Sequence, residues 1–82
     1  MDLKNLETAQ NRKIGIKQSL KAISKGEALR LYIAEDAEQH VIRQIVELAK
    51  KNNVEIVYIP TMVLLGKACS IDVGAATAVI VK

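Results

Sequence analysis

The sequence has few of the side chains that disulfides and metal sites require. Its 82 residues include one cysteine, Cys69, and one histidine, His40. One cysteine cannot form an internal disulfide, and these two residues are too few for a zinc site built by the protein alone. Because free thiols are typical of reducing compartments, we expect a cytoplasmic protein that needs no metal or other cofactor.

Aromatic residues and catalytic motifs are also scarce. The sequence has two tyrosines, Tyr32 and Tyr58, and no phenylalanine or tryptophan. Both tyrosines fall in predicted strands. This excludes a stacking platform of the RRM type, and the lack of a GxxG motif excludes a KH domain. No Walker, dinucleotide-binding or nucleophile-elbow motif occurs. We therefore predict that the protein is not an enzyme.

Long apolar runs and linkers are missing as well. No run approaches the roughly 20 residues of a membrane span, and the N-terminus lacks a signal-peptide core. Half of the residues are nevertheless apolar, which is enough for a packed core. We expect residues 1–82 to form one domain. We also expect the protein to be a monomer that does not contact a membrane.

Carboxylates are absent from one stretch that is rich in cations. Between Thr8 and Gly26 the chain has five Lys or Arg and no Asp or Glu, whereas the remainder has seven cations and nine carboxylates. The net charge is thus +5 in this stretch and −2 elsewhere. Such a division favours a polyanionic partner. The five cations are Arg12, Lys13, Lys17, Lys21 and Lys25.

The apolar pattern predicts alternating helices and strands. Nearly continuous apolar strands indicate a sheet covered on both faces, so we expect an α/β fold, a three-layer α/β/α sandwich on a small mixed sheet. Strands are predicted at residues 29–34, 54–59 and 77–81, with a short extra strand near 13–16. Helices are predicted at residues 2–10, at 17–25, from a cap at Asp36 to about Asn52, and from a cap at Thr61 to about Ala68.

Residue types at the helix ends support these boundaries. Asp36 followed by Gln39 fits a capping box. Gly26 is suited to stop the helix before it, and Asn52-Asn53 tolerate the left-handed conformation that ends many helices.

The helix predicted at residues 17–25 begins without a capping side chain. Gly15 and Ile16 precede Lys17, so the first backbone N–H groups are free to bind an anion. Lys17, Lys21 and Lys25 recur every fourth residue and form one ridge. An ordinary solvated lysine face would look the same, but Gln18 adds an amide able to read a base edge.

A second unusual segment spans residues 65–74. Ile71 and Val73 are apolar residues in a predicted loop, where they either pack back on the core or await an apolar surface such as an unstacked base. Cys69 is expected to be a small core residue.

The stretch IGIKQSLKAISKG, a following β-α-β unit and LLGKACSIDVGAATAVIV resemble the kink-turn RNA-binding ribosomal-protein family. That family includes an archaeal large-subunit protein shared with box C/D particles, and the match is best to a small bacterial, ribosomal-protein-like branch. The resemblance covers about residues 10–82. It implies an α/β/α sandwich that binds kink-turns, in which a bulge beside tandem G·A pairs bends an RNA duplex. The RNA would belong to a ribosome, a riboswitch or another ribonucleoprotein.

The resemblance also implies roles for individual residues. The start of the second helix enters the groove at the G·A pairs, which places Gln18 and Lys21 at guanine edges. A later loop holds the bulged nucleotides. Lys17 and Gln18 replace the family's Asn-Glu pair, so their shares of base and backbone contact stay open. The expected RNA-binding residues are Lys13, Gly15, Ile16, Lys17, Gln18, Lys21, Lys25, Leu65, Gly66, Lys67, Ser70, Ile71, Asp72 and Val73.

Two other functions fit the same features. In a protein–protein adaptor, the lysine ridge would meet an acidic partner and Ile71 and Val73 would form the central contact. In a small nucleotide-binding domain, the start of the lysine-rich helix would hold a phosphate.

Overall fold

Helices and strands alternate along residues 4–9 and 11–82, the part of the chain that the computed structural model describes. The short strand predicted near residues 13–16 is present, at 12–14. Of the helix predicted at 2–10, residues 2, 3 and 10 lie outside the described part. The elements are α1 (Lys4–Thr8), β1 (Arg12–Ile14), α2 (Ile16–Ser24), β2 (Ala28–Ala34), α3 (Gln39–Lys51), β3 (Glu55–Ile59), α4 (Met62–Ala68) and β4 (Thr77–Val81).

The strands form one mixed sheet in the order β1-β4-β2-β3. β2 and β3 are parallel, as expected for strands joined through a helix, and β4 is antiparallel to both of its neighbours. β1 and β3 are therefore the two edges. No helix in the described part of the chain is long and apolar enough to cross a lipid bilayer.

Helices cover both faces of the sheet. Leu31, Ile33 and Val79 belong to a buried cluster with residues of α2 and α3. The alternate positions Tyr32 and Ala78 belong to a second cluster with residues of α1 and α4. This two-residue alternation follows from the pleat of the strands. The predicted three-layer α/β/α sandwich is confirmed.

The predicted ends of α2 and α3 are also confirmed. Gly26 has φ +72°, and its N–H donates to the Ile23 carbonyl at 3.1 Å while the Glu27 N–H donates to the Ala22 carbonyl at 3.0 Å. These two bonds satisfy the last carbonyls of α2 in a Schellman motif. Asn53, with φ +58°, ends α3 in the same way.

The predicted cap at the start of α3 is wrong. The N-cap is Glu38, and among the described residues no side chain caps this helix. Asp36 instead accepts a hydrogen bond from the Met62 N–H at 2.8 Å, at the first residue of α4. The reason is the parallel pairing of Ala34 with Ile59, which brings the segments after β2 and β3 together. The Thr61 cap of α4 is confirmed, since its hydroxyl accepts from the Leu64 N–H at 3.1 Å.

Candidate nucleic-acid interface

Among the described residues, the start of α2 lacks a side-chain cap, as the sequence predicts. Gly15 is the N-cap with φ +99°, a conformation that L side chains rarely adopt, and the space beside its Cα is open. No side chain in the described part of the chain caps this helix end, and its first turn contains no acidic residue. The helix thus presents backbone N–H groups and the positive end of its dipole to the outside.

The two sides of α2 differ in burial. Ser19, Ala22 and Ile23 are buried against the sheet. Gln18 lies on the exposed side together with the ridge residues Lys17, Lys21 and Lys25, all of them exposed. The polar side of the helix is therefore available to a ligand along its whole length.

Lys13 extends this polar surface onto the sheet. It pairs with Val79 in the β1–β4 ladder, so its side chain leaves the sheet on the face that α2 covers. Together with α2 it borders a cleft of about 160 Å³. The cleft is lined by Lys13, Gln18, Lys21, Ala22, Lys25 and Glu27.

Arg12 is not part of this surface. Its guanidinium donates to the carbonyls of Leu6 at 3.0 Å, Glu7 at 3.3 Å and Cys69 at 3.1 Å. These carbonyls lie at the ends of α1 and α4, where a cation is favourable to the helix dipole. One of the five cations counted in the sequence thus joins two helices on the opposite face of the sheet.

The loop at residues 69–76 is held against α4 by a contact that only glycine permits. A Cβ at Gly66 would lie 2.1 Å from the carbonyl oxygen of Val73. The Ile71 N–H donates to the Gly66 carbonyl at 3.1 Å, and the Ala75 N–H donates to the Met62 carbonyl at 3.0 Å. The loop therefore has a fixed conformation before any ligand binds.

The two apolar residues of this loop have different environments. Ile71 is half-buried and packs against the core, whereas Val73 is 71% exposed. Ser70 has φ +62°, a left-handed backbone conformation that favours glycine. Val63 of α4, 59% exposed, adds an apolar side chain that is not among the predicted site residues. A cleft of about 230 Å³ here is lined by Val63, Lys67, Ile71, Asp72, Val73 and Gly74.

Some of the expected site residues lie inside the protein. Leu65 is fully buried in the core between α4 and the sheet, and Gly66 is buried beneath the loop. Cys69 is buried, as predicted; this burial raises the pKa of its thiol, against a smaller lowering by the Arg12 charge. These three buried residues lie between the loop and the core and support the loop.

The start of α2 and the loop meet at the end of the sheet where β4 begins. The Gly15 N–H donates to the Thr77 carbonyl at 2.9 Å, and the Ser19 and Thr77 hydroxyls are 3.0 Å apart, both fully buried. Gly74 is three residues before Thr77, a span of at most about 10 Å. The two segments singled out in the sequence are therefore neighbours. Ser19 and Thr77 are not among the predicted site residues. The hydroxyl of Ser19 on the apolar side of α2 could have indicated this contact.

Comparison with known proteins agrees with this architecture. The sequence profile of the Ribosomal protein L7Ae/L30e/S12e/Gadd45 family matches residues 2–82. The chain belongs to this family.

Several relatives have names that state what they bind. An RNA-binding protein of Caldanaerobacter subterraneus subsp. tengcongensis is 51% identical over 67 residues, which is 82% of each chain. An RNA-binding protein of Halalkalibacterium halodurans is 42% identical over 82 residues, the full length of both. The structure of a Giardia lamblia 15.5kD RNA binding protein superposes with a TM-score of 0.86 at 28% identity, covering 98% of this chain and 68% of that one.

Proposed function

We propose that this chain is an RNA-binding protein without catalytic activity that recognises kink-turns and stabilises their bent form, in ribosomal RNA or a riboswitch. The observation that carries the proposal is the junction at Thr77. Through it, a cationic helix start and a preformed apolar loop are placed side by side. A kink-turn presents the matching pair of features, a groove at the G·A pairs and bulged nucleotides next to it.

The start of α2 is suited to the groove. The major groove of A-form RNA is too deep and narrow for side chains, but a kink with non-Watson–Crick pairs opens it. Gln18 can then accept from and donate to base edges, and Lys21 can donate to guanine. Gly15, without a side chain, permits close approach of the backbone. Lys13, Lys17 and Lys25 are left to contact phosphates.

The loop is suited to a bulged nucleotide. Val73 offers an exposed apolar surface to an unstacked base, with Ile71 behind it. Lys67 lies in the same cleft and can neutralise the adjoining phosphate. Asp72 also lines this cleft, and the exposed Ser70 lies two residues earlier in the loop.

Binding at both places selects the bent RNA. A protein shifts a conformational equilibrium only by its difference in affinity for the two forms, and a straight duplex cannot reach the helix start and the loop in the same way. The adaptor alternative is not favoured, because relatives over most or all of the chain are named for RNA binding.

A calorimetric or gel-shift titration tests this proposal. The protein is titrated with a kink-turn RNA and with a duplex of equal length whose G·A pairs and bulge are replaced by Watson–Crick pairs. We expect tighter binding of the kink-turn.

Gln18→Ala should weaken kink-turn binding by about 1–3 kcal/mol, since one base-edge contact is lost. Gln44→Ala, an exposed glutamine on α3, is the control. Equal affinity for the two RNAs would contradict the proposal, and an unchanged Gln18→Ala affinity would remove this residue from the site.

A further inference from the structure

The end of α4 is closed by two hydrogen bonds around a serine. The Ser70 N–H donates to the Lys67 carbonyl at 3.0 Å, and the Ile71 N–H donates to the Gly66 carbonyl at 3.1 Å. This is the Schellman pattern, in which the residue after the helix cap adopts the left-handed conformation. That residue is Ser70, with φ +62°, and its side chain makes this conformation unfavourable. The loop therefore begins at a strained residue that the surrounding structure must hold in place.

Arg12 supplies a hydrogen bond at the peptide that precedes this serine. Its guanidinium donates to the Cys69 carbonyl at 3.1 Å. Because the Cys69 carbonyl and the Ser70 N–H belong to one planar peptide unit, this bond helps to fix the φ angle of Ser70. The same peptide unit is held on its other side by the bond from the Ser70 N–H to α4. The orientation of the first loop peptide is thus set by β1 as well as by α4.

Arg12 is itself held in place by the rest of the fold. Its backbone pairs with Ile80 in the β1–β4 ladder, and its guanidinium also donates to the carbonyls of Leu6 at 3.0 Å and Glu7 at 3.3 Å. A guanidinium carries five donors in a rigid planar fork, so it can bind carbonyls of two helices at once. The side chain therefore ties the start of the loop to a fixed position on the sheet.

β1 connects the two regions of the candidate interface. The residue that follows this strand, Gly15, donates to the Thr77 carbonyl at 2.9 Å and begins α2. The first residue of the strand, Arg12, reaches the start of the loop on the opposite face of the sheet. These two residues are at most about 10 Å apart along the chain. A loop released from Arg12 would therefore change its position relative to the start of α2.

We propose that Arg12 is a positioning residue that holds the loop in the conformation that receives a bulged nucleotide, without contacting the RNA itself. RNA binds only the fraction of molecules whose loop has this conformation, so the apparent affinity falls in proportion to that fraction. This inference rests on the proposed function, because it takes the bulged nucleotide of a kink-turn as the ligand of the loop.

Arg12→Gln tests the inference, because it removes both the charge and the planar fork. Kink-turn affinity should fall by about threefold to tenfold, whereas a kink-turn without its bulged nucleotide should bind with less than about a twofold change. A general loss of structure would weaken both RNAs alike. In the protein without RNA, hydrogen exchange of the Ser70 and Ile71 amides should become about tenfold faster. Arg43→Gln, which removes an exposed arginine from α3, is the matched control.

Two further variants separate positioning of the loop from the other contacts of Arg12. Glycine adopts the left-handed conformation without strain, so adding Ser70→Gly to Arg12→Gln should restore most of the lost kink-turn affinity and slow the exchange again. Glycine at this position cannot replace the bonds from Arg12 to α1. Arg12→Lys keeps the charge without the fork and should show smaller changes of the same kind. It is the test variant if Arg12→Gln does not fold.

Three results would overturn the inference. They are equal losses of affinity for the two RNAs, unchanged exchange of the Ser70 and Ile71 amides, and no recovery on adding Ser70→Gly. Failure of the proposed function is a different outcome, since it appears in the wild-type chain as equal affinity for kink-turn and duplex. The exchange measurement uses no RNA, so it tests the effect of Arg12 on the loop in either case.

Discussion

The start of α2 and the loop at residues 69–76 meet where β4 begins, but different interactions hold them there. The helix start is joined to β4 by a backbone bond from Gly15 to Thr77 and by the buried hydroxyls of Ser19 and Thr77. The loop is held by close backbone contact with α4, which the absence of a side chain at Gly66 permits. Both regions are held by hydrogen bonds, but those of the loop also require the close approach to α4 that Gly66 permits.

This difference determines what each region offers to RNA. The helix start presents cations and an amide on its exposed side, and its hydrogen bonds to the sheet use only backbone and buried groups. The loop presents little charge but a rigid apolar surface with Val73 at its most exposed point. Binding at the helix start should therefore respond to charge and salt, and binding at the loop should respond to changes of side-chain volume.

The largest effect should come from filling the space at Gly66. In Gly66→Ala the new methyl would meet the Val73 carbonyl, so the loop must move away from α4. We expect the free energy of unfolding to fall by about 2–3 kcal/mol, as for other overpacked sites. Kink-turn affinity should fall further than this loss of folded protein explains. Thermal or urea denaturation and titration measure the two effects.

Gly26→Ala provides the matched control for Gly66→Ala. The space beside Gly26 is open, but its φ of +72° is unfavourable for alanine, so the expected cost is about 1 kcal/mol. The loop should be unaffected and kink-turn affinity unchanged. If Gly66→Ala lowers the free energy of unfolding no more than Gly26→Ala does, the loop is not held by the contact at Gly66.

The hydroxyl pair should give the next largest effect. Thr77→Val keeps the shape of the side chain but leaves the buried Ser19 hydroxyl without its partner, at a cost of about 1–3 kcal/mol of stability. Adding Ser19→Ala should restore part of this loss, because no unpaired group remains. Denaturation of the two single variants and the double variant gives a double-mutant cycle, which measures the interaction between the two hydroxyls. Strictly additive losses would show that the hydroxyls do not interact.

A smaller effect on RNA binding alone should follow from Val73→Ser. The side chain is 71% exposed, so stability should stay within about 0.5 kcal/mol. Kink-turn affinity should fall by about 1 kcal/mol if the side chain covers a bulged base. A kink-turn without its bulged nucleotide should bind the variant and the wild-type chain alike. Equal losses on both RNAs would place Val73 away from the bulge.

The smallest effect should be seen for Lys25→Ala. A lysine that contacts phosphate contributes to affinity for all RNAs and to its salt dependence, so the slope of log K against log salt should become shallower by roughly 0.7–0.9. Affinities measured between low and moderate salt give this slope. Lys50→Ala, on α3, is the control and should leave it unchanged. The same slope for Lys25→Ala and wild type would make Lys25 an ordinary solvated residue.

Local sequence patterns were sufficient for most of the fold. β4 spans the predicted residues 77–81 and Thr61 caps α4 as predicted, because both depend on residues close together in the chain. The pattern at Asp36 was equally local but wrong, since its partner, Met62, is brought near by the pairing of β2 with β3. The role of Arg12 likewise depends on where α1 and α4 end. Contacts of this kind require the assembled fold.

The central claim is that the start of α2 and the loop bind the same RNA element together. Its most direct test is an NMR titration of the labelled protein with a kink-turn RNA. The backbone amides of residues 15–21 and 66–74 should shift together and reach their end points at the same RNA concentration, while those of residues 43–51 on α3 stay in place. Shifts confined to one of the two segments, or end points at different RNA concentrations, would contradict the claim.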